Sequence, residues 1–144
     1  MRLKIGLIAL VATCLVAGPS FAATGAATVK TRHGKLGTFL VDGKGRTLYL
    51  FEKDRTKKST CADACAVAWP PLTTKGRPKA AGAAKKSLLG TSKRADGTTQ
   101  VTYKGHPLYY FVQDKKAGDT KGQDIDGFGA AWYVVSPAGK KIDG

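Results

Sequence analysis

The sequence predicts a mainly β domain, in which two related antiparallel units share one core in a sandwich- or barrel-like arrangement, with one short α-helix near residues 61–69. Three observations carry that expectation. The phrase LYLFEKD at residues 48–54 returns as LYYFVQD at 108–114. Runs rich in β-branched and aromatic residues alternate with glycine turns along most of the chain. Between Cys61 and Ala68, by contrast, the residues are alanine-rich and lack glycine.

Residues 1–22 read as a secretory signal peptide. Arg2 and Lys4 give the charged start, Ile5 to Val16 the apolar run, and Ser20-Phe21-Ala22 the small-x-small cleavage pattern. The apolar run is shorter than the about 20 residues a spanning helix needs. Export with cleavage near Ala22, to the periplasm or beyond, is therefore expected, with no transmembrane segment in the mature chain. Thr13 stands where a lipobox needs a small residue before Cys14, which argues against lipid anchoring there.

Taking 22 residues from 144 leaves 122, the size of one domain with one core. Residues 23–35, small and polar, read as a flexible N-terminal segment. From 36 to 144 a single duplicated β domain is expected, with one repeat over about 36–72, a linker over about 73–86 and a second repeat over about 87–141. The first repeat opens as a hairpin, with strands near 37–42 and 46–52 around Asp42-Gly43-Lys44-Gly45. A helix follows, capped by Ser59, Thr60 or Asp63 and stopped by Pro70 and Pro71. The linker is rich in Gly, Ala, Pro and Lys. The second repeat reads as a meander with strands near 88–93, 98–103 and 107–112, then a glycine-rich loop and a last strand containing Trp132.

The two copies align residue by residue: Gly45 with Gly105, Tyr49 with Tyr109, Phe51 with Phe111 and Asp54 with Asp114, and Trp69 with Trp132 after a three-residue insertion. Alternate strand residues share a face, so Tyr49 and Phe51 point one way and Leu48 and Leu50 the other. Both faces are apolar, which predicts central strands. Tyr49, Phe51, Tyr109, Phe111, Trp69 and Trp132 are then the expected shared core. Asp54 and Asp114 close the following turns by accepting backbone N–H bonds. The alternative makes the two tyrosines and two carboxylates a paired ligand site across a pseudo-twofold.

The doubled Tyr-x-Phe-x-x-Asp pattern, the Cys61-x3-Cys65 pair running into WPP, and GDTKGQ before Trp132 resemble the bacterial family of secreted repeat proteins and predicted lipoproteins with the Yx(FWY)xxD motif. The resemblance covers nearly the whole chain from Leu36 onward. It implies export, duplication and a shared fold, and it supplies no catalytic residue. Many members are lipoproteins, a pattern from which Thr13 departs.

Cys61 and Cys65 are the cysteines left after processing, an even number in an oxidising compartment, so a disulfide is expected. Cβ atoms four apart on a regular helix are too distant for a bridge, so Cys61 must lie at or before the helix start. The alternative is a redox or copper site, since two thiolates one turn apart suit Cu(I) and His106 could add a ligand. The acidic residues Asp114, Asp119, Asp124 and Asp126 crowd one loop and read as turn carboxylates rather than a calcium site. Glu52 is the only glutamate, and no Ser/His/Asp trio, carboxylate pair or phosphate loop assembles. A non-catalytic protein without a cofactor is expected.

Loss of Arg2 and Lys4 lowers the formal charge from +14 to +12. The lysines are spread through the chain without an arginine-rich helix, which points to an anionic cell-envelope component or an envelope protein rather than a specific nucleic acid.

Overall fold

In a computed structural model, residues 25–143 are described. The signal segment, its cleavage point and Cys14 lie outside them. The described strands form three small three-stranded sheets rather than one closed barrel. Strands β1 (Thr28–Gly34) and β2 (Gly37–Asp42) pair antiparallel, with Val29 opposite Asp42. Strand β3 is Tyr49–Phe51, helix α1 is Ala64–Ala68 and β4 is Lys79–Ala80. A 3-10 turn at Lys86–Leu88 leads into β5 (Leu89–Lys93), followed by β6 (Thr99–Tyr103) and β7 (His106–Pro107). Strands β8 (Ile125–Gly127) and β9 (Ala130–Val134) complete the order. The sheets run β2-β1-β4, β3-β9-β8 and β5-β6-β7.

Four local expectations are corrected. The segment 23–35 is not a loose lead-in over its second half: residues 28–34 are β1, the middle strand of its sheet. Val29 alone of that strand is fully buried, so backbone pairing rather than apolar patterning holds it. The linker 73–86 is exposed over much of its length, yet β4 runs parallel to β1 and the Thr74 hydroxyl accepts the Ala27 N–H at 2.9 Å. The strand expected over 107–112 ends at Pro107, because the chain beyond it bonds alternately to two partners. Tyr109 exchanges both backbone bonds with Tyr49, whereas Tyr110 N donates to Pro70 O at 2.7 Å and Val112 N to Ala68 O at 3.0 Å. The glycine-rich stretch before Ala130 is not all loop, since β8 lies within it and pairs with β9.

Helix α1 is short because Pro70 and Pro71 follow it at once. Asp63 stands at its N-cap with φ 54° and makes no side-chain capping bond, and Ser59 and Thr60 are engaged elsewhere. Cys61 lies ahead of the helix and is bonded to Cys65, with a Cα–Cα separation of 5.2 Å. Closing so small a loop contributes about 2 kcal/mol in the chain-entropy account. The double variant Cys61→Ser/Cys65→Ser should therefore stay folded and lose about 2 kcal/mol in urea unfolding; loss of the folded state would show that the bridge carries more.

The segments around Tyr49 and Tyr109 divide the interior into two layers. On one side Tyr49, Phe51, Tyr109, Phe111, Trp69 and Trp132 pack with both cysteines, Phe39, Val41 and Val134. On the other, Leu48, Leu50, Leu108 and Tyr110 pack with Val29, Leu40, Leu72, Val101, Tyr103 and Val135. Alternation along extended chain thus sends each copy of the motif into both layers.

Candidate functional site

Two copies of one phrase meet at a backbone exchange. Tyr49 N donates to Tyr109 O at 2.8 Å and Tyr109 N to Tyr49 O at 3.0 Å. Each phrase then ends in the same turn, Asp54 N bonding to Phe51 O and Asp114 N to Phe111 O, both at 3.0 Å. Each aspartate divides its oxygens between the two halves. Through Oδ1 it holds its own loop: Asp54 accepts Thr60 N at 2.7 Å and Asp114 accepts Lys121 N at 2.9 Å. Through Oδ2 it accepts the tyrosine of the other repeat, Tyr49 to Asp114 and Tyr109 to Asp54, both at 2.6 Å. The tyrosines and carboxylates therefore satisfy one another in the interior, and their geometry is that of a clamp.

The rings repeat this symmetry. Phe51, Trp132, Trp69 and Phe111 form a continuous stack with centroid steps of 3.9, 4.0 and 4.3 Å. Tyr49 meets Trp69 edge-on at 5.4 Å, and Tyr109 meets Trp132 at 5.1 Å. Along the stack, residues of the first and second repeats alternate. Gly122 is required beside it: its N–H donates to the Tyr49 hydroxyl at 3.1 Å, and an added Cβ would come within 2.9 Å of both Trp69 and Tyr49.

A third pair of the same kind joins the halves, Tyr110 donating to Asp42 Oδ2 at 2.7 Å. Asp42 Oδ1 meanwhile accepts the N–H groups of Lys44 and Arg46, both at 2.9 Å, and the Arg46 guanidinium lies 4.7 Å from the Tyr110 ring centroid. Burial first, and the adjacent carboxylate second, push the ionisation of Tyr49, Tyr109 and Tyr110 well above the ordinary tyrosine range. Burial likewise raises Asp114, opposed by the Tyr49 and Lys121 bonds.

Cys61 and Cys65, 1% and 6% exposed, lie against the aromatic layer. The Cys61 carbonyl accepts Arg94 Nη2 at 2.8 Å, and Arg94 Nη1 also reaches Ser59 Oγ at 3.0 Å and Gln100 Oε1 at 2.8 Å. Ser59 Oγ lies 2.7 Å from the Tyr109 hydroxyl, which ties this end of the clamp to the disulfide. His106 stands apart, half-buried in a hollow with Glu52, Lys104 and Lys140, and burial lowers its basicity. Among the described residues no group of three or more His, Cys, Asp or Glu side chains is arranged to hold a metal, so His106 does not join the cysteines as a ligand set.

The loops gripped by Asp54 and Asp114 are basic. The first carries Arg55, Lys57 and Lys58, the second Lys115, Lys116 and Lys121, all exposed. Asp119 folds the second by accepting Lys115 N at 3.1 Å and Lys116 N at 3.0 Å. Gly118 N bonds to Gly45 O at 3.0 Å and brings this loop against the 42–46 turn. The Arg32 guanidinium covers Gly118, where a Cβ would meet its Cζ at 2.7 Å. Arg32, Lys44, Lys115 and Lys116 thus gather at one corner.

A family model described as a secreted repeat of unknown function matches this chain twice, over residues 30–73 and 90–136. The chain belongs to this family. No curated protein and no solved structure matches it. In the secreted-repeat frame, each matched segment contains one Tyr-x-Phe-x-x-Asp phrase and one tryptophan of the stack. No described helix is long and apolar enough to cross a membrane.

Sequence reasoning placed the turn-closing role on Asp54 and Asp114 but missed the exchange of tyrosines between secreted repeats, as well as Asp42, Ser59, Arg94 and Gln100. A signal was present: a buried tyrosine needs an acceptor. The aspartate five residues on is turned away by the chain's own turn, so the other copy is the source.

Proposed function

We propose that this protein is an exported, non-catalytic binding module that associates with an anionic component of the cell envelope through its lysine-rich surface. The observation that carries the reading is where the carboxylates point. Asp42, Asp54 and Asp114 are buried and spent on tyrosine hydroxyls and backbone N–H groups. Asp96 and Asp119 are likewise turned onto backbone N–H groups of their own loops. Half of the ten acidic residues are engaged in this way, so the outward field is that of the lysines and arginines, among them the corner of Arg32, Lys44, Lys115 and Lys116.

Vesicles containing phosphatidylglycerol provide the test. A lysine near an anionic surface contributes on the order of 1 kcal/mol. The triple variant Lys44→Ala/Lys115→Ala/Lys116→Ala should therefore bind roughly a hundredfold more weakly, with an unchanged unfolding midpoint. Association of the parent protein should fall steeply with added salt. Binding that ignores salt, or a triple variant that binds like the parent, would refute the reading.

A further inference from the structure

We infer that the groove beside α1 binds one molecule of a single-chain anionic lipid, its hydrocarbon lying along the helix and its head group meeting the lysines of the rim. The groove has a volume of about 660 Å³, within the range of small-molecule sites. It runs between α1 with the following prolines on one side and the turn joining β5 and β6 on the other. Its helix side is apolar, lined by Ala66, Val67, Pro70 and Pro71. Val67 is the decisive residue. It is 73% exposed, one of two large hydrophobic side chains on the described surface, and it stands over this groove.

The rim determines which apolar molecule fits. Lys75 and Lys93 both border the groove. Lys58, whose Nζ donates to the Lys93 carbonyl at 3.3 Å, lies in the adjoining hollow together with Asp63. The one acidic residue of the lining, Asp96, is already held in its turn, accepting Thr98 N at 2.9 Å and Thr98 Oγ1 at 2.6 Å. Two lysines against one engaged carboxylate favour an anionic head. Four apolar residues along the helix side favour a hydrocarbon chain.

This site goes beyond the lysine-rich corner proposed above and fails independently of it, because hydrocarbon burial survives salt that screens surface charge. The probe is laurate below its micelle concentration, titrated into the exported protein and followed by methyl NMR, with glyceryl monolaurate as the neutral comparison. Laurate should shift the Val67 and Ala66 methyls saturably at one molecule per chain and keep doing so at high salt. Val67→Asp should abolish the saturable shift. Lys75→Glu/Lys93→Glu should weaken laurate roughly tenfold, about 1.4 kcal/mol, while sparing glyceryl monolaurate. Both positions are exposed, and an unchanged unfolding midpoint in each variant secures the comparison. Shifts scattered over the lysines without saturation would overturn the inference. So would equal binding of the neutral lipid, or dimerisation abolished by Val67→Asp with laurate inert.

Discussion

Alkaline titration should unfold this protein cooperatively, beginning about one pH unit above the ordinary tyrosine value. Tyr49, Tyr109 and Tyr110 are held protonated in the fold, far above the ordinary value of 10.0. The unfolded chain therefore sheds protons that the native state keeps. A raised folded value places the stabilising contribution below pH 10 and removes it as the pH climbs toward the folded values. Each tyrosine contributes a slope of about 1.4 kcal/mol per pH unit, so three give roughly 4 kcal/mol per unit. That is a large share of the 5–15 kcal/mol typical of a domain. Lysines lose charge over the same interval, which relieves repulsion and acts in the opposite direction. Tyrosinate absorbance and circular dichroism should move together in one steep step. Gradual ionisation with the dichroism intact would contradict the buried clamp. Asp114 has the same sign at lower pH: its folded value lies above 3.8, so protonation in that window favours the native state.

Trp132→Ala is the substitution expected to cost most. Trp132 is fully buried, lies between Phe51 and Trp69 at centroid distances of 3.9 and 4.0 Å, and meets Tyr109 edge-on. Its Nε1 donates to Gly127 O at 3.0 Å, which fixes the β8–β9 turn. A large aromatic removed from a packed core costs about 3–5 kcal/mol, and the ring pairs here place this case at the upper end. Urea unfolding followed through Trp69 fluorescence should show a midpoint reduced by a third or more. A loss near 1 kcal/mol would mean that the stack closes over the void and does not tie the halves together.

The layered core was readable because strand alternation and glycine turns leave a direct trace. Tyr49 and Phe51 on one face, with Leu48 and Leu50 on the other, follow from period two alone, and the second copy confirms the register. The helix and its disulfide were legible for the same reason, since Cys61, Cys65 and the two prolines fix its position. Strand β1 was not. Only Val29 of its residues reaches the core, so a strand held by backbone bonds reads as polar chain. The clamp was illegible for a topological reason: the Tyr49 acceptor lies 65 residues away and becomes its neighbour only when the copies face each other. The groove is likewise the product of two distant segments, 66–76 and 93–99.

Swapping hydroxyls for carboxylates in both directions is the bonding pattern of an isologous dimer, in which residue i of one partner meets j of the other and the reverse. Here both partners are on one chain. Loss of either tyrosine therefore leaves a carboxylate in the opposite half without its hydroxyl, so damage to one copy of the phrase is felt in both.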